Sequence, residues 1–76
     1  MRALLEALAR ALVERPERVS VEEDSDQDGV RLTLAVASSD RGRVIGRHGV
    51  TAEALRTLLA GVARKRGQSC ELEIAE

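Results

Sequence analysis

The sequence predicts an α+β domain of two layers, and three features carry that expectation. Leucines recur at helical spacing near both ends, at Leu4, Leu5, Leu8 and Leu12 and again at Leu55, Leu58 and Leu59. Val30, Leu32, Leu34 and Val36 alternate with Arg31, Thr33 and Ala35, the period of a strand with one buried face. A turn-forming run, DSDQDG, separates that strand from a second alternating stretch before it. The 76 residues fit one small domain, 1–76. A chain this short buries only about 60% of its unfolded surface, so its core has to be economical. With no Phe, Tyr or Trp, that core must be built from Leu, Val, Ile and Ala.

In chain order, the leucines with Ala9 and Val13 define an amphipathic helix over about 2–14. Pro16 stops it, because proline disfavours helical geometry at the residue before it, Arg15. Val19 and Val21 alternate with Ser20 and Glu22 as a first strand, and the Asp-rich turn closed by Asp28-Gly29 joins it to the Val30–Val36 strand in a hairpin. Ser38 or Ser39 is placed to cap a short helical turn through Asp40–Ile45. From about Thr51, a suitable N-cap, Leu55, Leu58, Leu59 and Val62 mark a second full helix. Glu53 in its first turn and Arg64, Lys65 and Arg66 in its last complement the helix dipole, and Gly67 ends it. Cys70, Leu72 and Ile74 alternate with Glu71 and Glu73 as a last strand. The order is αββααβ. A strand–helix–helix–strand connection returning to one sheet crosses over right-handedly, so the three-stranded sheet is expected to be mixed, with helices on one face.

Net charge is −1, but its distribution is uneven. Residues 1–40 carry net −4, residues 41–66 net +6 and residues 67–76 net −3. A polyanion responds to the central block rather than to the total. Within that block, Gly46 and Gly49 flank Arg47 and His48 at the entrance to the second helix. Glycine accepts positive φ and lets another chain approach without a Cβ in the way. The start of a helix offers free N–H groups and the positive end of a dipole. With Arg41, Arg43 and Arg56 around it, the loop has the composition of a site for a sugar-phosphate backbone. Two glycines between helices also serve as a plain turn, and arginines as plain solvation, so spacing alone does not decide.

The run VIGRHG followed by a helix resembles the VIGxxG signature of KH domains, in which a helix–GxxG–helix element clamps single-stranded RNA or DNA. The order αββααβ is similar to the type II KH arrangement. Length, the leading helix ALLEALARALVERPE and the run GRVIGRHGVTAEALRTLL resemble the small bacterial single-KH family KhpA, also called YlqC, over essentially the whole chain. The resemblance implies that Gly46, Arg47, His48 and Gly49 clamp a nucleic-acid backbone. Val44 and Ile45 would floor an apolar groove with Leu55 behind, and Val30–Val36 would supply one wall. Arg41, Arg43 and Arg56 of the basic block, with Thr51, complete the expected RNA-binding set. Ala52 departs from the large aliphatic common in KH domains three residues after the second glycine. The resemblance further implies binding of about four unpaired nucleotides, pairing with a second copy or with a larger Jag-type KH protein, and work as an RNA chaperone or post-transcriptional regulator linked to cell-envelope growth and cell shape. Two other readings stay open: a protein-assembly module with incidental nucleic-acid contact, and a single-stranded DNA binder.

Other signals are weaker. DSDQDG places Asp24, Asp26 and Asp28 at alternate positions before Gly29, like the opening of an EF-hand loop, but Ala35 stands where a bidentate Glu is needed. His48 is the only histidine and lacks a neighbouring carboxylate to orient it as a base. No phosphate-binding GxxxxGK[ST] or GxGxxG is present, and a lone Cys70 forms neither an internal disulfide nor a cysteine zinc site. The expectation is no enzyme, no cofactor and no metal. The N-terminus reads as neither signal peptide nor membrane anchor, so the expected location is cytoplasmic.

Overall fold

The computed structural model describes residues 1–76. Its elements are α1 (Arg2–Leu12), β1 (Ser20–Ser25), β2 (Gly29–Ala35), α2 (Arg41–Ile45), α3 (Val50–Lys65) and β3 (Ser69–Ile74), joined in part by 3-10 turns at Pro16–Arg18, Ser38–Asp40 and Arg47–Gly49. This is the expected α+β order αββααβ, a type II KH-like arrangement. The first helix ends two residues early. Val13 is already extended, and Pro16 opens a 3-10 turn where its missing N–H costs nothing.

The sheet is mixed, in the order β1-β2-β3. β1 and β2 are antiparallel, with Val21 opposite Leu34; β2 and β3 are parallel, with Leu32 opposite Leu72. Val21, Val30, Leu32, Leu34 and Leu72 face one way and meet Leu5, Ala9, Val44, Leu55 and Leu59 from the helices. Leu5, Leu32, Leu34 and Val44 are completely buried, and each such side chain contributes about 1.5–3 kcal/mol through the apolar surface it removes from water. Buried alanines at positions 9, 52 and 63 leave room for these branched side chains in a core without aromatics. The opposite sheet face is exposed and acidic. It carries the cross-strand rows Asp24–Arg31–Glu71 and Glu22–Thr33–Glu73, with Arg31 Nε 3.2 Å from Glu71.

Two turns show why particular residues stand where they do. Asp26 Oδ1 accepts the N–H groups of Asp28 (2.8 Å) and Gly29 (3.0 Å), which closes the hairpin. Gly29 is not there for positive φ. A Cβ on it would meet Ser69 Oγ and the Ser69 carbonyl oxygen, at 2.1 and 2.6 Å. Gly67, at φ 70°, ends α3 in a Schellman motif, Gln68 N–H bonding the Ala63 carbonyl and Gly67 N–H that of Arg64. The leucine stripes are only partly used. Leu4, Leu12 and Leu58 stay 37–45% exposed, because the buried faces run through Leu5 and Ala9 and through Ala52, Leu55, Leu59 and Ala63.

Candidate nucleic-acid interface

The glycine loop is a strained, compact connection. Gly46 has φ 77° and ψ 168°, a region that is essentially glycine-only, and Gly49 is left-handed at φ 77°, ψ 12°. His48 is also left-handed, at φ 57°, the only non-glycine residue in the chain with positive φ. The two glycines do different work. A Cβ on Gly46 would strike Thr51, whose Oγ1, Cβ and N would lie at 2.3, 2.8 and 2.8 Å, so Gly46 is required for packing inside the loop. A Cβ on Gly49 would meet nothing within 4 Å; its outer side is open.

Thr51 is therefore not the N-cap of α3. Gly49 takes that position, and no side chain caps the helix. The serines do not cap α2 either; its N-cap is Asp40, again without a side-chain bond to the helix. Arg47 and His48 are exposed, and neither they nor Arg41 forms an ion pair. A 16-residue helix thus begins beside two uncommitted basic side chains and an unobstructed glycine.

The remaining site candidates are distributed differently from the expectation. Val44 is fully buried in the core, so it anchors α2 but offers no surface to a ligand; Ile45, 39% exposed, is the apolar side chain beside the loop. Arg43 is held by Asp40 and by Glu14. Arg56 points along α3 toward the sheet, its Nε 3.4 Å from the Leu72 carbonyl oxygen and its Nη1 3.8 Å from Glu53. The strand beside it is β3. β2 is the central strand with both edges paired, while α3 packs along β3, whose outer edge is free. Arg56, Ala60, Cys70, Leu72 and Glu73 line a shallow pocket there. Burial pushes the Cys70 thiol above its ordinary value; the Met1 ammonium pulls against this, and Glu23 and Glu71 add to it. A thiol held protonated in this way is a packing group rather than a nucleophile. The basic block is also not one patch: Arg64, Lys65 and Arg66 sit at the far end of α3, about 20 Å or more from the loop.

Asp40 was invisible as a functional residue in the sequence. Its carboxylate is 1% exposed and accepts the N–H groups of Glu14 and Arg15, both at 3.1 Å, tying the segment after α1 to the foot of α2. A short acidic residue just before a helix is the only local signal, and it reads as a cap. No three metal-ligating side chains are gathered anywhere. No helix is long and apolar enough to cross a membrane.

The model of the family described as "KhpA/KhpB, KH domain" matches residues 2–74. The chain belongs to that family. It is 39% identical to the RNA-binding protein KhpA of Clostridium acetobutylicum over 97% of this chain and 99% of that protein. It is 38% identical to the RNA-binding protein KhpA of Halalkalibacterium halodurans over the full length of both. Against the RNA-binding protein KhpA of Treponema pallidum the identity is 45%, over 96% of this chain and 91% of that protein. No solved structure matches the chain. The family is one of KH domains and not of enzymes.

Proposed function

We propose that this chain is a single KH domain that binds single-stranded RNA, with Gly46, Arg47, His48 and Gly49 against the sugar-phosphate backbone. One observation carries the reading: two exposed, unpaired basic side chains and an open glycine stand together at the uncapped start of a long helix. Relatives covering the whole chain bear the name RNA-binding protein. Phosphate is held by amides and cations there, Ile45 offers apolar contact, and Arg41 adds charge. Without aromatic platforms, binding by one domain is weak, and a second copy or a larger Jag-type KH partner raises it through multivalency. Leu4, Leu12 and Leu58 supply exposed apolar surface for such pairing. A role as RNA chaperone or regulator in the cytoplasm, acting on envelope growth and cell shape, follows the family resemblance.

The test is fluorescence anisotropy of labelled single-stranded RNA at two salt concentrations, with the wild type and with Arg47→Asp/His48→Asp. Circular dichroism checks the fold. Loss of about tenfold or more, with a shallower salt dependence, is expected. Equal binding by both proteins overturns the loop as the site. Tighter binding of labelled DNA of the same sequence would move the reading to single-stranded DNA.

A further inference from the structure

Arg43, three residues before the glycine loop, is held by two carboxylates. Its Nε lies 3.5 Å from Asp40 Oδ1, and its Nη2 donates to Glu14 Oε1. The two carboxylates are not equivalent. Asp40 is buried and holds two backbone N–H groups as well, so its contact with Arg43 balances a charge removed from water. Glu14 is 72% exposed on its side chain and satisfies nothing buried. Its place is nevertheless fixed, because its own N–H is one of the two that Asp40 holds. The fold thus presents a second carboxylate to a guanidinium whose structural task is already met. Arg43 with Asp40 is formally neutral; Glu14 makes the trio negative at the edge of the basic loop.

We propose that Glu14 acts as a built-in competitor for Arg43 and sets the affinity of the loop for single-stranded RNA. In the free protein the Glu14 carboxylate occupies the position a phosphate oxygen would take on the guanidinium. In the wild-type complex Glu14 keeps that place for most of the time and the Arg43–phosphate contact is largely forgone, while the Asp40 contact stays. The proposal rests on the RNA reading given above.

The experiment compares four proteins for binding to the same labelled RNA across a salt series: wild type, Glu14→Gln, Glu17→Gln and Glu14→Gln/Arg43→Gln. Glu17→Gln makes the same change in net charge at a nearby exposed residue that forms no ion pair. Glu14→Gln is expected to bind about two- to fivefold tighter at low salt, the range an exposed ion pair carries. Its salt slope should steepen by about 0.7, one more phosphate contact on a single strand. Glu17→Gln should stay near wild type, and the double variant should lose the gain. The proposal is overturned if Glu14→Gln matches wild type, if Glu17→Gln gains as much, or if a folded double variant keeps the gain. Should the double variant not fold, the slope of Glu14→Gln against Glu17→Gln decides alone. If Arg47→Asp/His48→Asp loses binding while Glu14→Gln is unchanged, only this inference falls; if no protein in the set binds RNA, both readings fall.

Discussion

At the hairpin tip and at the foot of the glycine loop, one aspartate carboxylate accepts two backbone N–H groups, yet the two regions are built on different scales. Asp26 reaches residues two and three positions ahead, in an exposed turn. Asp40 reaches residues 25 and 26 positions behind it and is buried. The first arrangement is complete within a short peptide and spends its polar groups on itself. The second exists only once α1 and α2 have met, and it fixes the platform from which Arg47 and His48 project. Both regions also hold a glycine that tolerates no Cβ, Gly29 against Ser69 and Gly46 against Thr51. Of the two turns, only the glycine loop leaves cationic side chains free.

The largest effect should come from breaking the long-range aspartate. Asp40→Ala leaves two N–H groups and Arg43 without their buried partner and is expected to cost about 3 kcal/mol in denaturant unfolding. Asp26→Ala, the same deletion in the exposed turn, should cost about 1 kcal/mol. Equal losses at the two sites would end the distinction between clamp and turn. The glycines sharpen it next. Gly46→Ala combines glycine-only torsions with a clash and should cost about 2–3 kcal/mol, whereas Gly49→Ala, whose Cβ enters open space, should cost about 1 kcal/mol. The informative readout is RNA binding by folded Gly49→Ala. It should fall despite the small stability loss if the open side of Gly49 is where the backbone approaches. The smallest effect concerns the hairpin: calcium at about 1 mM should leave Tm unchanged, because Asp26 is committed to its turn and the bidentate ligand is missing. A rise in Tm would reopen the Asp-rich run as a site.

Much of this was legible in the chain because it depends on neighbours in sequence. Periodicity located α1, α3 and the three strands, the Asp28-Gly29 turn marked the hairpin, and the short α2 was placed by a serine cap that the fold does not use. The run VIGRHG singled out a loop whose positive-φ glycines the fold contains. Boundaries slipped where local signals competed. Thr51 has the chemistry of a cap, but the left-handed Gly49 starts the helix earlier, and Thr51 fills the space a Gly46 side chain would need.

The sequence by itself determined the element order, the mixed apolar patterning and the basic loop, since each follows from propensity and spacing over a few residues. Only the tertiary structure decided which members of each stripe are buried, putting Leu5 inside and Leu58 out. It also decided that Val44 is core, that β3 rather than β2 borders α3, and that Arg43 is divided between Asp40 and Glu14. Burial, strand order and long-range ion pairs depend on which distant segments share the same space, and no local spacing encodes that.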